Sequence, residues 1–142
     1  MILSANNILL NEKIDTKDEA IRLVGKILVE NGYVEPDYVD AIFEREAMTT
    51  TYMGNFVAIP HGTDEAKKQV KETGIVIIQV PDGVDFGGGN IVKLIFGLAG
   101  KGDDHLKILS NIAIVVSDEE NVDKIVKTTT KEGILSFFKE VN

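Results

Sequence analysis

A chain of 142 residues, 44% hydrophobic and 27% charged, has the balance of an ordinary globular protein and the length to bury a core as one domain over residues 1–142. It has no cysteine, which excludes disulfides, thiolate catalysis and cysteine-based zinc or iron–sulfur sites. The net charge of −8 disfavours phosphate backbones, so nucleic acid is not an expected partner, and apolar runs such as Ile75-Val76-Ile77-Ile78 are far too short to span a bilayer. No secretory signal is read at the N-terminus, and a cytoplasmic location is expected.

In chain order, Ile8-Leu9-Leu10 reads as an edge strand or a lead-in. Thr16-Lys17-Asp18-Glu19 matches a capping box, followed by Ala20, Leu23, Val24, Ile27 and Leu28 at helical spacing, with Asn31-Gly32 as the stop. Pro36 suits the first turn of a second helix, with Tyr38, Val39, Ile42 and Phe43 as its apolar face, running to about Met48. Thr49 to Gly54 is expected as a polar connection, and Phe56 to Ile59 as a short buried strand. Pro60 ends that strand, and Gly62 supplies backbone freedom before a short helix from Asp64.

The run Thr73 to Val80 predicts a central strand, apolar on both faces. Pro81-Asp82-Gly83 is read as a turn and Gly87-Gly88-Gly89 as a loose loop. Ile91 to Ala99 predicts another buried strand. A helix then starts near Asp104, with Asp103 as its N-cap. Capping boxes at Ser117–Glu120 and Thr129–Glu132 open two more. The order of elements predicts a three-layer α/β/α domain with a mixed, roughly five-stranded central sheet flanked by helices on both faces.

The chain has only two histidines. His61 lies where a strand ends and a helix begins, a favoured place for ligand and reaction sites. As an imidazole it is open to roles as base, metal ligand or nucleophile. His105 has a parallel placement: it too follows a buried strand across a Gly-rich turn. If the two strands are neighbours, both rings reach one rim. Arg45, near the end of the second helix, reads by itself as a surface residue paired with Glu44, Glu46 or Asp40. It also lies just upstream of the loop to His61, where a guanidinium suits a phosphoryl oxygen. The His-Glu-x-x-His, Gly-x-Ser-x-Gly and Walker spacings are all missing.

The run Glu44-Arg45-Glu46 and Thr49 through Thr63, with Ile59-Pro60-His61-Gly62 at its heart, resembles the active-site segment of a known family. This is the fructose–mannitol family of enzyme II A components in the bacterial phosphoenolpyruvate-dependent sugar phosphotransferase system. Thr51-Tyr52-Met53-Gly54, Gly32 to Pro36, Gln79 to Val84 and Asp104-His105-Leu106 are more similar to its mannitol branch. The resemblance runs along nearly the whole chain. It implies that His61 accepts a phosphoryl group from the phosphocarrier protein HPr, on Nε2, and passes it to a B component on a separate chain. It implies that His105 and Arg45 hold the phosphoryl oxygens and that no cofactor or metal is required. A fructose or other hexitol branch, and a regulatory phosphohistidine module of the nitrogen-related type, remain as alternatives. Asn55 departs from some mannitol members, which carry an acid there, so no carboxylate role is assigned to it.

Overall fold

In the computed structural model, which describes residues 2–142, five strands form one mixed sheet. They are β1 (Ile8–Leu9), β2 (Tyr52–Gly54), β3 (Val57–Ala58), β4 (Gly74–Asp85) and β5 (Ile91–Ala99), in the spatial order β1-β4-β5-β3-β2. β1 runs parallel to β4 and β3 parallel to β5, while β4–β5 and β2–β3 are antiparallel pairs. The helices are α1 (Lys17–Glu30), α2 (Tyr38–Met48), α3 (Asp104–Val116), α4 (Glu119–Lys127) and α5 (Lys131–Leu135).

Side chains alternate across β4 and β5 and so build two cores, one on each face of the sheet. Val76, Ile78, Val80 and Ile95 face Val24, Leu28, Tyr38 and Ile42 of α1 and α2. Ile75, Ile77, Leu94, Phe96 and Leu98 face Ile108, Ile112, Val122, Ile125 and Ile134 of the three later helices. This is the expected three-layer arrangement. Each fully buried Leu, Ile or Phe contributes about 1.5–3 kcal/mol, so the twin cores hold the strand ends as rigid supports. Gly97 is the close-approach point for α1: a Cβ there would lie 2.3 Å from Val24 Cγ1.

Thr16 caps α1 as read, its Oγ1 accepting the Glu19 N–H at 3.1 Å, but the Glu19 carboxylate reaches the Asp15 N–H at 3.5 Å rather than that of Thr16, so the box is half formed. Other local expectations are corrected. Tyr52–Gly54 is an edge strand rather than a connection, paired with β3. Phe56 is not in a buried strand. With Asn55 it forms the tight β2–β3 hairpin, both at positive φ (51° and 67°), and its side chain is 47% exposed. Asn55 is suited to that conformation, and its amide donates to the Val116 carbonyl at 3.1 Å. Pro81-Asp82-Gly83 does not reverse the chain. It is a bulge inside β4, between the Gln79↔Leu94 and Val84↔Val92 pairs. The reversal occurs at Gly87-Gly88-Gly89, all at positive φ. Asp118, not Ser117, caps α4 by accepting from the Glu120 N–H. The segment Asp64–Gln69 is a 3-10 helix.

Gln79, inside an otherwise apolar strand, is 2% exposed yet fully used. Its amide nitrogen donates to the Ile125 and Thr128 carbonyls at the end of α4, and its oxygen accepts the Asn11 N–H. A buried polar side chain is tolerated because each of its groups has a partner. No helix among the described residues is long and apolar enough to cross a membrane.

Candidate functional site

β3 and β5 are parallel neighbours, so their carboxyl ends lie side by side. His61 follows β3 and still pairs with Leu98 of β5 as a single parallel bridge. His105 follows β5, in the first turn of α3. The two rings meet at the same rim, with centroids 5.0 Å apart and planes at 59°.

Each imidazole is held by local design. His61 Nδ1 lies 2.8 Å from the Ile59 carbonyl. A carbonyl only accepts, so Nδ1 carries the proton and Nε2 the lone pair. The chain can fold back on itself this way because Pro60 ends the strand between the two residues. On the His105 side, Gly100 is pressed against the start of α3: an added Cβ would lie 2.6 Å from His105 Cα. The Thr73 hydroxyl locks that turn, donating to Asp104 Oδ2 at 2.7 Å and accepting the Lys101 N–H at 3.0 Å. Asp103 stands at the N-cap position but makes no side-chain cap bond.

Arg45 sits in the last turn of α2. Among the described residues it makes no ion pair with Glu44, Glu46 or Asp40, contrary to the surface-pair expectation. Its Nη1 instead donates to the Thr49 carbonyl at 2.7 Å, closing the helix end. The charge of Arg45 reaches both histidines. Glu46 turns inward and is 5% exposed. It accepts from the Thr51 N–H at 3.0 Å and the Thr51 hydroxyl at 2.6 Å, with Lys17 Nζ at 3.8 Å. The carboxylate thus ties the end of α2 to the segment leading to β2 and β3.

Two site-shaping residues escaped the sequence reading. From the sequence Glu46 reads as a surface partner for Arg45 and as part of the family-like run, with no buried role. Tyr38 was counted as part of an apolar face, but its hydroxyl accepts the Gly62 N–H at 2.9 Å and donates to the Leu98 carbonyl at 3.0 Å. The available signal was a tyrosine, not a phenylalanine, at a core position, because a buried phenol needs a partner. Gly62 also acts differently from expectation. It is not among the positive-φ glycines, and it is glycine because a Cβ would lie 2.6 Å from the Tyr38 ring.

Burial is the main cause that pushes the His61 imidazole below its ordinary value, and the charge of Arg45 adds to it. The bond to Ile59 and the charges of Glu46 and Asp64 act the other way. His105 is lowered by burial first, then by His61 and Lys67. Both rings are therefore neutral at pH 7, the form in which Nε2 is a nucleophile. Because the folded values lie below the unfolded ones, this contribution to stability is full above about pH 6.5 and is lost as pH falls through the folded values. Histidine Cε1–H resonances followed by NMR are expected to titrate with midpoints below 6.5 for both rings. A His61 midpoint at or above 6.5 would contradict the burial argument.

Taken as a whole, an unprotonated Nε2, a second neutral imidazole beside it and an arginine whose charge reaches both suit an anionic group. Comparison with known proteins agrees with that class. The family model "Phosphoenolpyruvate-dependent sugar phosphotransferase system, EIIA 2" matches residues 1–141, and the chain belongs to this family of protein phosphotransferases. Among its relatives, the mannitol-specific phosphotransferase enzyme IIA component of Geobacillus stearothermophilus is 62% identical over 141 residues, covering 99% of this chain and 97% of that one. The crystal structure of the mannitol IIA of Escherichia coli is similar with a TM-score of 0.90 at 41% identity, over 97% of this chain and 99% of that chain. A solution structure of the Escherichia coli mannitol IIA in complex with phosphorylated mannitol IIB matches equally, with a TM-score of 0.90 at 38% identity, over 97% of both chains.

Proposed function

We propose that this chain, acting as one domain over residues 1–142 in the cytoplasm, is the phosphoryl carrier of a mannitol uptake system. His61 accepts a phosphoryl group from phosphorylated HPr and passes it to the mannitol-specific B component on a separate chain. The observation that carries this reading is the Nδ1 bond to Ile59, which leaves Nε2 of a neutral imidazole free at the rim. The 62% identity to a mannitol-specific relative favours that branch over the fructose and nitrogen-related alternatives.

In the transfer, the Nε2 lone pair of His61 attacks phosphorus in line, forming the N–P bond as the bond to the donor breaks. Positioning and charge stabilisation carry such a step. His105 and Arg45 hold the equatorial oxygens. The arriving phosphoryl group brings negative charge beside His105, which raises its proton affinity, so the ring takes up a proton from solvent as the group lands. When the acceptor withdraws the group, that proton returns to solvent.

A carrier must meet two protein partners in turn, which calls for a modest, adaptable surface. Leu106, beside His105, is 67% exposed, and Met48, three residues after Arg45, is 71% exposed. Methionine adapts to different partners without a fixed shape. Incubation with phosphoenolpyruvate, enzyme I and HPr is expected to give an acid-labile phosphoryl adduct. The chain is also expected to restore mannitol uptake to cells that lack the A component but keep the mannitol B and C components. Labelling without restored mannitol uptake would keep the carrier and reject the sugar assignment.

A further inference from the structure

We propose that Tyr38 is a positioning residue: its hydroxyl is built into the last rung between the His61 loop and β5 and sets how far His61 stands from the sheet. In its kinetic consequence this rests on the carrier reading above.

A parallel bridge between His61 and Leu98 is completed by two bonds, one on each side of His61. The first is present: the Leu98 N–H donates to the Pro60 carbonyl at 3.0 Å. The second would run from the Gly62 N–H to the Leu98 carbonyl. The Tyr38 hydroxyl stands in that place. It takes the Gly62 N–H at 2.9 Å and hands its own proton to the Leu98 carbonyl at 3.0 Å. The chain is thus bonded directly to β5 before His61 and through the Tyr38 hydroxyl after it.

The insertion is a built feature. Tyr38 is 3% exposed, and its ring fills the space that any side chain at Gly62 would need. Burial also pushes the phenol above its ordinary value, so the hydroxyl stays protonated and keeps its donor. The same residue lies on α2, seven positions before Arg45, two helical turns away and on the same face. Leu98 lies on β5, whose end leads through Gly100 to His105. One buried hydroxyl therefore joins α2, which carries Arg45, to the loop that carries His61 and to β5, the strand that leads to His105. A shift of about 1 Å at such a point is enough to cost on the order of 100-fold in rate.

The test uses the full chain. Tyr38→Phe keeps the ring and removes the spacer. It is expected to lower kcat for phosphoryl acceptance from HPr about 10- to 100-fold, with KM unchanged because Tyr38 is buried away from the partner. It should also move the Gly62 amide and His61 ring-nitrogen resonances. Gly62→Ala, which displaces the ring while the hydroxyl remains, is expected to show the same pattern. Tyr33→Phe loses a comparable buried bond, to Asn7 Nδ2 at 2.8 Å, and is expected to keep kcat and the His61 resonances. A folded Tyr38→Phe protein with wild-type kcat and unmoved His61 resonances overturns the proposal. In the unmodified chain the Gly62 amide should exchange slowly with solvent, and exchange at the rate of an open loop overturns the spacer whatever the variants do. Failure of the wild type to accept phosphoryl on His61 defeats the carrier reading, while the resonance and exchange arms still decide the positioning.

Discussion

His61→Ala is expected to abolish the acid-labile adduct completely while leaving a folded protein. On the carrier reading the loss is total because the substitution removes the atom that would bond to phosphorus. His105, 5.0 Å away between ring centroids, is set on a different element and, among the described residues, has no carbonyl partner fixing its tautomer as Ile59 does for His61. The structural cost is small. The ring is only half-buried at the rim, and its removal leaves the Ile59 carbonyl to solvent or to a cost of about 1 kcal/mol. Circular dichroism should therefore show a native spectrum with a slightly lowered Tm. The measurement is labelling from radioactive phosphoenolpyruvate through enzyme I and HPr, with the wild type alongside. Adduct on a folded His61→Ala protein would remove His61 from the reaction.

The second large effect is expected from His105→Ala, which should retain labelling on His61 but reach it about 100- to 1000-fold more slowly, the usual loss when one preorganised donor to a developing charge is removed. The reason is geometric. His105 is placed by Gly100, which lets the first turn of α3 approach, and by Thr73, which binds both the Asp104 carboxylate and the Lys101 N–H. With its backbone fixed there, the ring on the carrier reading needs little movement to meet charge building on the phosphoryl oxygens. Rapid-quench kinetics would separate the slowed step from binding, because kcat should fall far more than KM. A wild-type rate would show that His105 only lines the rim.

Much of the fold could be read from local pattern. Thr16 and Glu19 gave the start of α1, and the Ile91 to Ala99 run matches β5 as observed. Those features rest on contacts between near neighbours or on a run long enough to be unambiguous. The errors fall where short segments take their form from distant partners. Tyr52–Gly54 becomes a strand only because β3 lies beside it. Pro81-Asp82-Gly83 has the composition of a turn, but pairing with β5 resumes at Val84, so the same residues form a bulge. Phe56 carried the apolar signal of a strand and yet turns outward. There its ring lies beneath Lys93 Nζ, 4.8 Å from the centroid.

The sequence alone determined the chemical inventory. Two imidazoles, no thiol, an arginine near a helix end and the Ile-Pro-His-Gly run define what this chain can react with, since composition and short-range spacing are properties of the chain itself. Tertiary structure decided how those groups act together. The parallel pairing of β3 with β5 brings His61 and His105 to one rim across 44 positions of chain. The Ile59 carbonyl selects the tautomer, burial keeps both rings neutral, and Tyr38 reaches from α2 into the ladder. Such facts depend on distances between residues remote in sequence and on how deeply each is buried, and no local pattern encodes either.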